Sequence, residues 1–135
     1  MENNKPARKI LLIDDDADDR KYFIEAVQEI DNTIQCVTAK DGDQALQLLR
    51  DPQNSLPDYI FLDLRMPKIN GRQCLIQLKS DDRLKAIPVT VYTTSRELKE
   101  SEELQGLGAV RFITKPANTE EIFYVVSQTL EEQDF

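Results

Sequence analysis

Residues 10–16 read Ile10-Leu11-Leu12-Ile13-Asp14-Asp15-Asp16, four consecutive apolar residues that run straight into three carboxylates. An unbroken apolar run with no polar alternation is what a strand covered on both faces requires. The same construction recurs downstream. Tyr59-Ile60-Phe61-Leu62 runs into Asp63, Val89-Thr90-Val91-Tyr92 into Thr93-Thr94, and Val110-Arg111-Phe112-Ile113-Thr114 into Lys115-Pro116. Open parallel sheets gather function at the carboxyl ends of their strands. Carboxylates, a hydroxyl and an ammonium would then meet at one sheet edge, a set suited to a divalent cation and a phosphoryl group.

The intervening segments carry helical spacing. Phe23, Ala26, Val27 and Ile30 predict a helix over about 17–30, and Ile34 to Ala39 a further strand. Gly42 opens a helix through Ala45, Leu46 and Leu49 that stops at Asp51-Pro52. The loop Met66 to Gly71 leads into a helix with Cys74, Leu75 and Leu78 inward. Glu97 to Leu107 is helical and highly charged, closed by Gly106 and Gly108. Asn118 or Thr119 caps a last helix facing inward through Ile122, Val125, Val126 and Leu130. Residues 1–7 read as a frayed terminus. Strands alternating with helices of this length force right-handed crossovers and a doubly wound parallel sheet.

Bulk properties narrow the function. A chain of 135 residues fits one domain and buries a sizeable core without staples. The net charge of −8 gains nothing from a phosphate backbone, so no nucleic acid is expected as a partner. No apolar run approaches a membrane span and Met1 to Lys5 has no apolar h-region, so a cytoplasmic protein with no membrane partner is expected. Cys36 and Cys74 sit in apolar segments and read as buried structural thiols. Histidine is absent, which removes Ser-His-Asp and Cys-His catalysis and most zinc sites. Any phosphohistidine must come from another protein.

Asp14, Asp15 and Asp63 supply carboxylates for Mg²⁺ if the first and third strands are neighbours, and their mutual repulsion would be relieved by the cation. An aspartate carboxylate can also be the nucleophile and form an acyl phosphate. Lys115 and the cation would neutralise the transferring group, and the Thr93 hydroxyl could hydrogen-bond one of its oxygens. Asp16 or Asp18 reads as a cap of the first helix. Taken singly, Thr93 reads as structural and Lys115 as a solvated charge; their order at successive strand ends argues otherwise. Asp14, Asp16, Asp18 and Glu25 have the spacing of a Ca²⁺-binding EF-hand loop, but Asp19 stands where glycine is needed and Glu25 lies in the helical repeat. The alternative function is a haloacid-dehalogenase-like acyl-phosphate phosphatase, which leaves Asp63 without a role.

These stretches, together with Asp58 to Gly71 and Gly108 to Pro116, resemble the receiver domain of two-component response regulators over residues 8–131. The resemblance implies an α/β, three-layer, flavodoxin-like fold with a five-stranded parallel sheet in the order 2-1-3-4-5. It implies Asp63 as phospho-acceptor, with Asp14, Asp15, Asp63 and the Arg65 backbone carbonyl holding Mg²⁺, for which Mn²⁺ can substitute. Thr93 and Phe112 resemble the switch pair, Lys115 the lysine that contacts the phosphoryl group, and Pro116 the proline that follows a cis peptide. Arg65 and Ser95 stand where dephosphorylation is tuned, and Thr94, bulkier than the usual alanine or serine, could restrict access to Asp63. The implied partners are a sensor histidine kinase or histidine phosphotransfer protein and an unknown downstream protein. One receiver domain over 1–135, ordered over about 8–131 and with no output domain, is expected, acting as a phosphorylatable switch and not as a free-standing enzyme.

Overall fold

The computed structural model describes residues 8–66, 69–94 and 97–133. Residues 1–7, Pro67 in the Met66 to Gly71 loop, and Ser95 lie outside the described residues. In chain order the elements are β1 (Lys9–Ile13), α1 (Ala17–Ile30), β2 (Gln35–Ala39), α2 (Gly42–Arg50), β3 (Tyr59–Leu62), α3 (Gly71–Ser80), β4 (Val89–Thr93), α4 (Leu98–Gly106), β5 (Arg111–Thr114) and α5 (Thr119–Gln133). The strands form one parallel sheet in the order β2-β1-β3-β4-β5, as expected. Sequence and structure agree on every element, with boundaries within about two residues, the usual play at fraying ends.

Strand alternation divides the core into two. Leu11, Ile13, Ile60, Leu62, Val89 and Val91 face α2, α3 and α4, where Leu46, Leu49, Leu75, Leu78 and Leu104 cover them. Ile10, Leu12, Tyr59, Phe61 and Tyr92 face α1 and α5, meeting Phe23, Val27, Ile122 and Val126. Both faces are covered, which is why the central strands read as continuous apolar runs. On the second face Phe23 and Phe61 meet edge to face, ring centroids 4.8 Å apart.

α1, α2 and α3 start where polar side chains satisfy their first N–H groups. Asp16 accepts from the Asp19 N–H at 3.0 Å and Asp41 from the Gln44 N–H at 2.8 Å. Asn70 and Gln73 close a reciprocal capping box at 2.9 and 3.1 Å. Asp16 is thus the cap of α1 that its sequence suggested. The helix runs on through Asp18 and Glu25, which leaves no room for an EF-hand loop.

α4 ends in a Schellman motif. The Ala109 N–H bonds the Leu104 carbonyl and the Gly108 N–H the Gln105 carbonyl, each at 3.1 Å, with Gly108 at φ +116°. Leu104 is the buried side chain of α4, and Glu97 contributes no side-chain cap bond.

Two expectations are corrected. The described residues contain no cis peptide, so the bond before Pro116 is trans, the isomer an X–Pro bond favours by about 0.5–1 kcal/mol when context does not override it. Cys74 is buried but Cys36 only partly so, because β2 is an edge strand whose outer flank has no neighbouring strand. Both thiols are free.

Candidate functional site

Register assembles the site. β1 and β3 pair with Ile13 opposite Leu62, and the Asp63 N–H donates to the Ile13 carbonyl at 2.9 Å, so Asp14 and Asp63 leave the sheet side by side. β4 and β5 pair with Thr93 opposite Thr114, and the Lys115 N–H donates to the Thr93 carbonyl. β1 and β3 are also where the strand order reverses, the crevice at which open α/β sheets bind ligands.

Asp14, Asp15 and Asp63 each bring a carboxylate oxygen within 4.8 Å of the others, a spacing one metal ion can bridge. Asp14 and Asp63 are buried, while Asp15 is exposed and gives the cluster its open side. The Asp14 loop is held rigidly. Asp14 Oδ1 accepts the Asp16 N–H at 3.0 Å, and its carbonyl accepts from Arg20 Nη1 at 2.9 Å. The Arg65 N–H lies 3.5 Å from Asp63 Oδ1, the outer limit of a hydrogen bond.

Lys115 reaches back over this cluster. Its Nζ donates to Asp14 Oδ2 at 2.7 Å and to Asp19 Oδ2 at 2.8 Å, and lies 3.5 Å from Asp63 Oδ2. The same nitrogen sits 5.7 Å from the centroid of the Tyr92 ring, within cation–π range. Asp19 and Tyr92 were not singled out from sequence. An acid in the first turn of a helix looks like a dipole-favouring surface charge, and only the position of Lys115, 96 residues away, gives it a partner.

Burial pushes the Asp14 carboxyl up to about 6, against the pull of the Lys115 hydrogen bond and the Asp16 N–H. Burial raises Asp63 too, opposed chiefly by the Lys115 charge. Burial alone would lower Lys115, but its bonds to Asp14 and Asp19 outweigh that and hold its pKa above the ordinary lysine value. Two buried carboxylates whose charged forms are disfavoured are a pair that a divalent cation would stabilise.

The Thr93 hydroxyl is fully buried and has no hydrogen-bond partner among the described residues. Such an orphan costs about 1–3 kcal/mol unless a group supplied from outside completes it. Phe112 pairs with Val91, two residues before Thr93 on the neighbouring strand, and is half-buried against the α2–α4 side of the core. Of the residues expected at the site, Asp14, Asp15, Asp63 and Lys115 are brought together, Thr93 ends the strand beside them, and Phe112 stands on the adjacent strand.

A family model for the response regulator receiver domain matches residues 10–127. FilR2 of Methanothrix harundinacea, a "Probable methanogenesis regulatory protein", is 32% identical over 125 residues, covering 90% of this chain and 81% of that protein. Rcp1, a response regulator of Synechocystis, is 30% identical over 129 residues, covering 93% and 88%. A crystal structure of its Mn²⁺-bound form superposes with a TM-score of 0.77 at 29% identity, over 90% of each chain. The phosphorylated cyanobacterial phytochrome response regulator RcpA superposes with a TM-score of 0.87 at 35% identity, over 93% of each chain. The chain belongs to the response regulator receiver domain family of two-component signal transduction. Receiver domains are signalling switches, and the haloacid-dehalogenase alternative is set aside, since Asp63 has its place in the cluster. Among the described residues no helix is long and apolar enough to cross a membrane.

Proposed function

We propose that Asp63 is the phospho-acceptor of this receiver, taking a phosphoryl group from the phosphohistidine of a sensor histidine kinase or a histidine phosphotransfer protein. In that transfer the P–N bond to the donor imidazole breaks as an Asp63 Oδ–P bond forms, and the imidazole leaves with the nitrogen's electron pair. The observation that carries the reading is Asp63 itself. It is a buried carboxylate at the end of β3, flanked by Asp14 and Lys115 and accompanied by the Thr93 hydroxyl, which has no hydrogen-bond partner among the described residues.

Asp14, Asp15, Asp63 and the Arg65 backbone carbonyl are the groups that would hold Mg²⁺, or Mn²⁺ as in the Rcp1 structure. When bound, the cation supplies neutralisation of charge on the phosphoryl oxygens. The chain's own residues do the rest. Lys115 offers an N–H to one phosphoryl oxygen, Thr93 donates to another, and the bond from the Asp63 N–H to the Ile13 carbonyl fixes the strand end that carries the acceptor. Movement of Thr93 toward the phosphoryl group frees space for the Phe112 ring, and a downstream protein reads the changed surface of α4, β5 and α5.

The test is labelling with acetyl phosphate or a phosphorylated kinase in Mg²⁺, followed by intact-mass analysis. The parent should gain about one phosphoryl group and Asp63→Asn none. Undiminished labelling of Asp63→Asn would sink the assignment.

A further inference from the structure

Lys115 is shared between the acidic cluster and an acid outside it. An ammonium has three N–H donors. Two are committed to Asp14 and Asp19, whereas Asp63 Oδ2, at 3.5 Å, is beyond a good hydrogen bond. Asp19 does not belong to the metal-competent set of Asp14, Asp15 and Asp63. Its backbone N–H is fixed by the Asp16 cap, so the first turn of α1 aims its side chain at Lys115. The lysine is otherwise pinned from behind by its backbone bond to Thr93 and by the Tyr92 ring. Asp19 therefore sets the side toward which the ammonium leans.

The two carboxylates that hold Lys115 differ in how readily they release it. The Asp14 side chain is 0% exposed and the Asp19 side chain 36%. Taking a cation from a fully buried carboxylate strands its charge, but a carboxylate with access to water is rehydrated at little cost.

We infer that Asp19 is a positioning residue that draws Lys115 toward α1 and competes with a phosphoryl group on Asp63 for the ammonium. The inference rests on Asp63 being the acceptor. On phosphorylation Lys115 keeps Asp14 and turns its third N–H to a phosphoryl oxygen; closing the 3.5 Å gap to the Asp63 side draws the ammonium off Asp19, so the acyl phosphate is less favoured than it would be without the Asp19 carboxylate. Asp19 thus limits how fully the site fills, without touching metal or phosphoryl group.

The experiment measures fluoroberyllate affinity in saturating Mg²⁺ by calorimetry, for the parent, D19N, D19E and D18N. Asp18 is the neighbouring exposed acid and serves as the charge control. D19N should bind about two- to fivefold more tightly, the worth of releasing one partly solvated ion pair. D19E should return to the parental affinity and D18N should not depart from it. In metal-free protein the ¹⁵Nζ signal of Lys115 should shift in D19N and stay in place in D18N. Equal or weaker binding by D19N, or equal gains in D19N and D18N, overturns the inference. A parent that binds no fluoroberyllate overturns the acceptor reading and this inference together, whereas a binding parent with an unaltered D19N overturns this inference alone.

Discussion

Replacing Asp14 by Asn should make the metal-free protein more stable at neutral pH, although it removes an ion pair with Lys115. Asp14 is fully buried, and burial raises its native pKa to about 6 from 3.8. Between about pH 4 and 6 the native state holds a proton that the unfolded chain has already released, so Asp14's contribution to stability falls as pH rises through that window. By pH 7 a displacement of about two units costs about 3 kcal/mol. Asn removes the charge but gives back part of this. A protonated carboxyl can still accept from Lys115 on one oxygen and from the Asp16 N–H on the other, whereas the amide has one accepting oxygen and serves only one of those donors, a loss of about 1–2 kcal/mol. The net expectation in EDTA at pH 7 is a gain of about 1–2 kcal/mol, or about 3–8 °C in Tm for a chain of this size. At pH 4 the gain should vanish. In saturating Mg²⁺ the order should reverse, because binding stabilises the parent by RT ln(1 + [L]/Kd) and the variant has lost a ligand charge. Melts followed by circular dichroism at pH 4, 5.5 and 7, with EDTA or MgCl₂, check all three. A variant less stable than the parent in EDTA at pH 7, or equally stabilised at pH 4, refutes the reasoning.

Other outcomes follow from single features. A Cβ on Gly71 would lie 2.3 Å from the Asp63 carbonyl oxygen and 2.6 Å from the Leu64 Cα, both backbone, so Gly71→Ala should cost about 3 kcal/mol in urea unfolding. Thr93→Val deletes a buried hydroxyl that has no hydrogen-bond partner among the described residues and should raise stability by about 1 kcal/mol in the same assay, while lowering the extent of acetyl phosphate labelling. Burial pushes both cysteine thiols up to about 12 from 9.0, about a thousandfold less thiolate at pH 8. Native alkylation by iodoacetamide, followed by mass, should be slower than in urea by at least two orders of magnitude.

The fold was legible because the central runs Ile10 to Ile13 and Tyr59 to Leu62 are apolar throughout and four of the five strands end in a chemically distinct residue. Those endings alone put Asp14, Asp63, Thr93 and Lys115 at one edge of a parallel sheet. Asp19 was not legible, since nothing local separates an acid that holds Lys115 from one that caps a helix or faces water. Its partner is fixed only when the fifth strand closes beside the fourth. Cys36 misled for a related reason: an apolar neighbourhood in sequence does not say whether a strand lies at the middle of the sheet or at its edge. The Pro116 peptide shows the limit of carrying a family's geometry over by position, because bond isomerism is set by the surrounding packing and not by the Lys-Pro pair.

The lopsided anchoring of α4 bears on what kind of signal this domain can send. At its far end the helix is clamped by the Schellman turn, by buried Leu104 and Ala109, by the Arg72–Glu103 ion pair and by the Val110 N–H bond to Val89. At its near end, which follows Thr93 in the chain, Leu98 is 72% exposed. A rod with one fixed heel pivots more easily than it slides. Nine residues span about 13 Å, so a tilt of only about 10° swings the Leu98 tip by about 2 Å while the heel stays in place. A partner seated across such a boom would register direction before distance, and the Leu98 side chain at its tip would be the part that sweeps across it.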